Sequence, residues 1–453
     1  MIGGTVMSSI ETVNWIKAQF KRTNELTEKN LEYEDKQAKL IYIKPLINQE
    51  LLQQIIIKPF FEMSTEEQFK QYLHALPQFQ EINSKDQLQL DIMSGNVLVF
   101  IQEEFYLVDI KLSTNDQVNT TSVETTIHGS QIALSDNLMT NINVIRSNYH
   151  QPSLFVEYHL TGEVNKHKVA IIYDQAKVKE DVLEIIQKKL GKVDKQLITS
   201  TTQLNNYLNN KQISLFPQMM MTERPDRIVY NLAGGKVVLV VDGNPQALIA
   251  PVSFFDFMTT MEDNYHTFLI SLFLKFLRYA GLFISILLPS LYIGITSYAP
   301  EVFRTEVALA TAGSRVGIPF SSFIEVLFML FFMEMLLEAS IRLPKAVSAT
   351  ATTVGGLILG TAVTEASLAS DIMVIIVSAV AISTFVIPVN EMAFSIRVVR
   401  LVFILITSLL GLAGLTLGFY ALIMYLISID SFGQPYMKLD LSPKKNSKSE
   451  GQT

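Results

Sequence analysis

The hydrophobic pattern divides the chain into a mixed first part and a strongly apolar second part. Four runs in the second part carry no charged side chain, and they cover residues 279–300, 346–364, 372–390 and 401–429. A helix rises about 1.5 Å per residue, so each run is long enough to cross a hydrocarbon core of roughly 30 Å. A fifth apolar stretch, 316–341, is interrupted by three glutamates. The pattern therefore predicts four or five transmembrane helices.

The first part mixes helical and strand patterns. Residues 1–40 are polar, rich in Glu and Lys, and predict an amphipathic helical lead-in. Apolar spacing predicts helices over 65–76 and 177–190. A run of branched and aromatic residues at 169–173 predicts a buried strand. Residues 113–126 are rich in Ser, Thr and Asn, which is typical of a linker.

Two glycine-flanked segments, 97–108 and 237–249, predict β-hairpins. Each has two apolar runs around a short polar break, and the second break contains an Asp-Gly pair, a strong hairpin signal. Aligning Gly95 with Gly235 superimposes the two patterns and suggests two subdomains of related plan. A chance likeness between two ordinary hairpins is the alternative.

These patterns together predict a fold class. We expect an α/β soluble N-terminal region of two subdomains, followed by an α-helical polytopic membrane domain with four or five transmembrane helices. The predicted boundaries are 1–112 for the first subdomain with its lead-in, 113–126 for a linker, 127–266 for the second subdomain, 267–428 for the membrane domain and 429–453 for a polar tail.

Composition supports this division and excludes several classes of protein. The chain has 36 Lys and Arg and 43 Asp and Glu; residues 1–266 hold 24 and 32 of them, whereas 267–428 hold only 8 of each. The acidic surplus of the first part argues against nucleic-acid binding. The absence of cysteine excludes disulfides, thiolate metal sites and cysteine nucleophiles. The start lacks an apolar core of signal-peptide length, which argues against cleavable secretion.

The orientation in the membrane stays open. Lys275 and Arg278 precede the first apolar run and favour a cytoplasmic N-terminal domain. Five crossings would also place Arg397 and Arg400 inside but the basic tail outside. Four crossings would place Arg397 and Arg400 outside and the basic tail inside.

We find no pattern that predicts catalysis, a metal or a cofactor. The six histidines lack metal-ligand spacing, and neither a phosphate loop nor a dinucleotide glycine pattern nor a nucleophile elbow occurs. The sequence therefore predicts a protein that is not an enzyme.

Ionisable residues at membrane depth are candidates for function because they are costly there. Glu334 and Glu338 share a helix face, and Arg342 follows Glu338 at the spacing that favours an ion pair. We expect a candidate intramembrane ion pair among these three residues. It would either hold the helix end structurally or take part in permeation or gating.

The run 346–364 differs from the others because small and hydroxyl-bearing residues dominate it. Such a helix packs closely or lines a wet path rather than facing lipid. One stripe makes a candidate pore and gate, with a carboxylate at its mouth: Val354, Ile358, Thr361 and Glu365. The alternative is tight helix packing through Gly355 and Gly356.

Several motifs together resemble one family, the A subunits of GerA-type spore germination receptors of endospore-forming bacteria. They are TERPDR at 222–227, VDGNP at 241–245, PVSFFDF at 251–257, EDNY at 262–265, EASIRLP at 338–344, SFGQPY at 431–436, and Asn141-Ile142 with Arg146. The resemblance covers about residues 125–437. The chain departs from the family pattern at Arg304, Leu337, Ser340 and Tyr425, where the family usually has Pro, Arg, Gly and His. It also departs at 129–131, where Gly-Ser-Gln replaces a Gly-Pro-Arg-like start.

The resemblance implies a nutrient sensor in the inner membrane of the bacterial endospore. Its implied partners are a transporter-like, nutrient-binding B subunit, a lipoprotein C subunit, further copies of itself, membrane lipid and monovalent cations. The implied activity is that of an oligomeric, nutrient-gated cation channel. A non-conducting scaffold that transmits the signal is the alternative.

One charged cluster in these motifs is compact. Glu223, Arg224, Asp226 and Arg227 surround a proline, and we expect them to form an interdomain or intersubunit latch. A solvated turn between two elements is the alternative.

Overall fold

The structure is a computed structural model that describes residues 15, 25–80, 85–102, 104–112, 119–126, 128–162, 166–193, 198, 200–209 and 214–438. Most of the predicted lead-in before residue 25 lies outside these residues, as do most of the predicted linker and the tail beyond residue 438.

The chain folds into two compact units. The first comprises Met1–Gln212 and Met219–Pro251, and the second comprises Ile213–Gln218 and Val252–Thr453. The division thus lies before the predicted position at 266–267. Residues 252–264 pack with the helical unit instead of the sheets; for example, Phe254 N–H donates to the Tyr436 carbonyl at 2.9 Å.

The strands are β1 (Leu26–Tyr33), β2 (Lys36–Ile43), β3 (Phe79–Gln80), β4 (Asn96–Ile101), β5 (Glu104–Asp109), β6 (Asn119–Thr120), β7 (Ile132–Ala133), β8 (Leu154–Thr161), β9 (His167–Asp174), β10 (Met220–Thr222), β11 (Val237–Val241), β12 (Ala247–Ala250), β13 (Asp430–Ser431) and β14 (Gln434–Pro435).

The helices of the first unit are α1 (Gln49–Leu51), which continues through a π-helical turn (Leu52–Ile57) into α2 (Lys58–Glu62), then α3 (Glu66–Ala75), α4 (Lys85–Met93), α5 (Leu138–Asn148), α6 (Glu180–Leu190), α7 (Thr201–Leu208) and α8 (Pro225–Ala233). Those of the second unit are α9 (Phe268–Tyr298), α10 (Thr305–Ser314), α11 (Ser322–Arg342), α12 (Lys345–Glu365), α13 (Asp371–Phe385) and α14 (Asn390–Ser428). Short 3₁₀ turns lie at Lys44–Leu46, Phe254–Met258, Met261–Asn264 and Pro300–Val302.

The first unit contains two five-stranded sheets of the same plan. Their strand orders are β1-β2-β4-β5-β3 and β8-β9-β11-β12-β10, read in corresponding directions, and every neighbouring pair is antiparallel. In each, a hairpin is followed by helices, a short edge strand, one more helix and a second hairpin. Both predicted hairpins are present, and the shared plan supports two related subdomains.

A glycine precedes the corresponding strands β4 and β11. Gly95 has φ +96° and Gly235 has φ +79°, a region that residues with a Cβ rarely adopt. A Cβ on Gly235 would also lie 2.5 Å from the Lys177 carbonyl oxygen, and one on Gly95 would lie 2.8 Å from that of Leu46. Glycine is therefore required at both positions by conformation and by space.

The predicted helical lead-in is wrong over residues 26–40, which form the β1–β2 hairpin. The pairing runs from Leu26 opposite Ile43 to Tyr33 opposite Lys36. β1 is an edge strand, and Leu31 is its one fully buried side chain, so its Glu and Lys residues face solvent. Its local composition therefore resembles that of a solvated helix, although pairing makes it a strand.

The second unit is a helical bundle. In the described part of the chain, three helices are long and apolar enough to cross a membrane: Phe268–Tyr298, Val347–Glu365 and Asn390–Ser428. The uncharged run 372–390 forms only the 15-residue α13, about 22 Å long. It ends at Phe385 because Pro388 cannot continue a helix. The fifth stretch forms α11, which carries three glutamates. It is not one of the three helices that are long and apolar enough to cross a membrane.

Candidate functional site

The predicted pore stripe lies on the open face of α12. Val354 is 49% exposed and Ile358 is 59% exposed, and Thr361 and Glu365 are also exposed. The opposite face packs on α11, where a Cβ on Gly355 would lie 3.1 Å from a Leu336 methyl. The packing of Gly355 and Gly356 on α11 is thus present, whereas the stripe is largely exposed among the described residues and its role as a pore lining stays a prediction.

The predicted intramembrane ion pair separates into two unequal parts. Glu338 and Arg342 form an ion pair at 2.6 Å, but their side chains are 59% and 77% exposed. Glu334 does not join them. It is the partner of Arg397, at 3.3 Å, and of Arg400. The prediction of one three-residue cluster is therefore wrong, because Glu334 points to α14 and Glu338 does not.

Sequence reasoning missed Arg400 as a functional candidate, although it is the most deeply buried cation among the described residues of the second unit. It is 1% exposed, and besides Glu334 it lies 3.4 Å from the hydroxyls of Ser285 and Thr384. It thereby connects α14 with α9, α11 and α13. The sequence did contain a signal, because Arg397 and Arg400 directly precede the uncharged run 401–429. We interpreted these arginines only as markers of orientation in the membrane.

Glu325 is another charge of the bundle and is fully buried. Its Oε1 accepts the backbone N–H of Ser370 at 2.7 Å and the Ser370 hydroxyl at 2.6 Å, at the N-terminus of α13. The Nε of Arg315 lies 3.5 Å from its Oε2, and the Tyr292 hydroxyl lies at the same distance. This carboxylate therefore holds the start of α13, where a helix favours an anion.

The four residues of the predicted latch lie at the start of α8 in the first unit. Glu223 is 7% exposed, and its Oε1 accepts the N–H groups of Ser122 and Val123 at 2.7 Å and that of Glu124 at 3.0 Å. Three backbone donors on one carboxylate oxygen form an anion-binding nest. The carboxylate thus fixes part of the segment predicted to be a linker.

The two arginines of this cluster hold the same segment. Arg224 is 1% exposed, forms a bidentate pair with Asp226 at 3.0 and 2.6 Å, and donates to the Thr126 hydroxyl at 2.7 Å. Arg227 pairs with Glu124 at 3.1 Å. All these contacts lie within the first unit.

Two distant motifs meet in the second unit. The hairpin of β13 and β14 lies against residues 252–258, and Ser431 joins them: its hydroxyl accepts the Val252 N–H at 3.1 Å and donates to the Gln218 carbonyl at 2.9 Å. Tyr436 is fully buried. The motifs at 251–257 and 431–436 are thus parts of one structure, which we call the collar and define as residues 252–264 and 429–436.

Arg278 attaches the collar to α9. It pairs with Asp263 at 2.6 Å and donates to the Met258 carbonyl at 3.2 Å and the Thr260 hydroxyl at 3.1 Å. Burial by itself raises the pKa of the Asp263 carboxyl, but the hydrogen bonds from Arg278 and from the Thr260 N–H outweigh it. The pKa of Asp263 is therefore lowered from its ordinary value.

Among the residues that the structure describes, no three His, Asp or Glu side chains are grouped to hold a metal ion.

Comparisons with known proteins converge on one kind of protein. The model of the family described as Bacillus/Clostridium GerA spore germination protein matches residues 14–450. Spore germination protein KA of Bacillus subtilis (strain 168) is 32% identical over 410 residues, which cover 88% of this chain and 75% of that protein. Spore germination protein A1 of the same strain is 30% identical over 397 residues, with coverages of 83% and 82%.

A membrane protein and a solved structure complete the comparison. The uncharacterized membrane protein YfkQ of Bacillus subtilis (strain 168) is 30% identical over 414 residues, which cover 90% of this chain and 80% of that protein. The crystal structure of the N-terminal domain of the A subunit of the Bacillus megaterium spore germinant receptor GerK3 is similar with a TM-score of 0.42 and 20% identity. It covers 55% of this chain and 99% of that one.

Proposed function

The chain belongs to the GerA family of spore germination proteins, and on that basis we propose that it is the A subunit of a germinant receptor. In this proposal several copies assemble in the inner membrane of the bacterial endospore as a nutrient-gated cation channel. A nutrient-binding B subunit and a lipoprotein C subunit complete the receptor. The first unit lies on the spore-core side, as the position of Lys275 and Arg278 favours.

The exposure of α12 is the observation that carries the channel proposal. Only 6% of its apolar window is buried within the chain, against 33% for the window in α9 and 39% for that in α14. Small and hydroxyl-bearing residues gain little from lipid, whereas they permit close approach between helices. A ring of α12 helices from several copies would give this surface a partner.

The stripe on α12 has the chemistry of a gate. Val354 and Ile358 would form an apolar constriction, which stops ions by excluding water. Thr361 follows them, and Glu365 ends the helix. A ring of such carboxylates attracts cations to the mouth of a pore.

The other charged groups have supporting roles in this proposal. The pair of Glu334 with Arg400 would hold α11 against α14, so that movement of either helix reaches α12. The latch at Glu223 and Arg224 would fix the connection between the two subdomains. Its contacts favour this role within one chain over an intersubunit one.

Ion flux through proteoliposomes tests the proposal. The full chain is reconstituted with its partner subunits, and K⁺ efflux is measured with and without a nutrient mixture. We expect nutrient-dependent efflux, and we expect Ile358→Ala to leak without nutrient. Leu409→Ala, which changes a 79% exposed residue on α14, is the matched control and should behave like the unchanged protein.

Two outcomes count against the channel. Efflux that is absent from a folded, fully assembled receptor would favour the non-conducting scaffold. Nutrient-dependent efflux that Val354→Ala and Ile358→Ala both leave unchanged would remove the gate from this stripe.

A further inference from the structure

A cavity of about 240 Å³ lies where α9, α10 and the turn between them meet. Its walls include the apolar side chains of Phe303 and Ala308, and Arg315 is the charged residue among the described residues that line it. Pockets for drug-sized ligands occupy about 300–1,000 Å³. This cavity therefore suits a smaller molecule.

The Arg315 guanidinium is incompletely engaged. It has five N–H donors. In the described part of the chain it donates one hydrogen bond, to the Phe320 carbonyl at 3.2 Å. Its Nε is buried and has no hydrogen-bond partner, since the Glu325 carboxylate lies 3.5 Å away without the required geometry.

Glu325 does not depend on Arg315 for its hydrogen bonds. Its Oε1 already accepts two, from the backbone N–H and the hydroxyl of Ser370. The helix N-terminus at Ser370 gives further stabilisation to the negative charge. Arg315 is therefore ion-paired with Glu325 but donates only one hydrogen bond among the described residues, to Phe320, and we expect its remaining terminal N–H groups to be available to a second anion.

The polar groups in the cavity wall do not compete for this role. The hydroxyl of Thr296 donates to the Tyr292 carbonyl at 2.6 Å, and that of Thr311 donates to the Val307 carbonyl at 2.8 Å. Each hydroxyl has one hydrogen, so both are committed to their own helices. Arg315 remains the cavity's donor toward a ligand.

We propose that this cavity binds a small monocarboxylate, with its carboxylate on Arg315 and its apolar part against Phe303 and Ala308. A guanidinium fork matches the two oxygens of a carboxylate. The apolar walls favour a short hydrocarbon chain over a bare inorganic anion. This site is independent of the proposed pore, because none of its residues lies on α12.

Ligand-observed saturation-transfer NMR tests the site on the full chain in lipid nanodiscs, with butyrate as the probe. We expect saturable binding of butyrate and none of butyramide, its neutral counterpart. Arg315→Gln should weaken butyrate binding at least about tenfold, the effect of losing a hydrogen bond to a charged group. The cavity-filling Ala308→Leu should also weaken it, because the larger side chain occupies the space of the hydrocarbon chain. Arg304→Gln is the matched control, since this exposed arginine is not part of the cavity wall.

Ala308→Leu keeps the test decisive if Arg315→Gln does not fold. Equal butyrate binding in Ala308→Leu and in the unchanged chain would overturn the proposal. Equal binding of butyramide would reduce the site to an apolar one and overturn it as well. Binding of laurate without any binding of butyrate would assign the cavity to a membrane fatty acid and overturn the assignment to a small acid.

Discussion

Removal of the Glu223 carboxylate is expected to free residues 122–124. One oxygen of this buried carboxylate accepts the backbone N–H groups of Ser122, Val123 and Glu124 at 2.7, 2.7 and 3.0 Å. In Glu223→Ala all three donors lose their acceptor at once. Arg224 and Arg227 still hold Glu124 and Thr126, so the opening should stay local to residues 122–124 while the sheets stay folded.

The size of the effect follows from these bonds. A hydrogen bond to a charged group contributes about 1.5–3 kcal/mol, so three of them give at least about 4.5 kcal/mol if they add. The freed amides regain water, and we therefore expect a loss of about 3 kcal/mol, at the lower end of the cost of breaking a buried charge pair. At about 1.4 kcal/mol per factor of ten, this corresponds to a roughly hundredfold change in the opening equilibrium.

Hydrogen exchange measured by mass spectrometry on the full chain in detergent gives the readout. Exchange at 122–124 should become about a hundredfold faster in Glu223→Ala. Glu223→Gln keeps an acceptor without its charge and should give a smaller acceleration, because charge-assisted bonds are roughly twice as strong as neutral ones. Glu180→Ala, a change at an exposed carboxylate of the same unit, is the control. Unchanged exchange at 122–124 with an intact β11 in Glu223→Ala would refute the reasoning.

Three further changes separate structural contributions by their effect on unfolding of the full chain in detergent. Glu334→Gln should destabilise the bundle by about 3–5 kcal/mol, because it leaves the buried Arg400 without its carboxylate partner. Glu338→Gln should cost less than about 1 kcal/mol, because its pair with Arg342 is exposed. Similar midpoints of thermal unfolding for the two variants would contradict this. Gly235→Ala should cost clearly more than Gly243→Ala, since both have φ +79° but only the first Cβ would meet a backbone oxygen; equal denaturation midpoints would show that the close approach relaxes without cost. The pKa of Asp263 is lowered, so its carboxylate stabilises the fold above the ordinary Asp pKa of about 3.9. This stabilisation is lost as the pH falls through the lower folded-state pKa. Asp263→Asn should therefore lose less stability between pH 6 and pH 3 than the unchanged chain, and an identical loss would exclude this group as the cause.

The sequence predicts a hairpin well where the residues of its turn are typical of that turn. The Asp-Gly break between two apolar runs led directly to the β11–β12 hairpin. The β1–β2 hairpin gave no such signal. Its turn is formed by Glu34 and Asp35, and Glu34 adopts φ +53° without the glycine that usually marks such a turn.

The sequence predicted an ion pair within one helix of the bundle but not the ion pairs between helices. Spacing along one helix identified the pair of Glu338 and Arg342, which is present but exposed. The pair of Glu334 and Arg400 joins residues 66 positions apart, and no local rule relates them. Helix packing decides which glutamate is buried, and a sequence pattern does not contain that packing.

The collar has a consequence for the order in which the second unit is completed during translation. Ser431 and Tyr436 follow α14, so they leave the ribosome after all the helices that the structure describes in this unit. Until they arrive, the Val252 N–H lacks its acceptor and the ring of Phe257 lacks its neighbour Tyr436. A chain that stops before residue 429 therefore leaves the ring of Phe257 without this aromatic neighbour. The hairpin of β13 and β14 thus completes the packing of the collar only after the preceding long helix has been made.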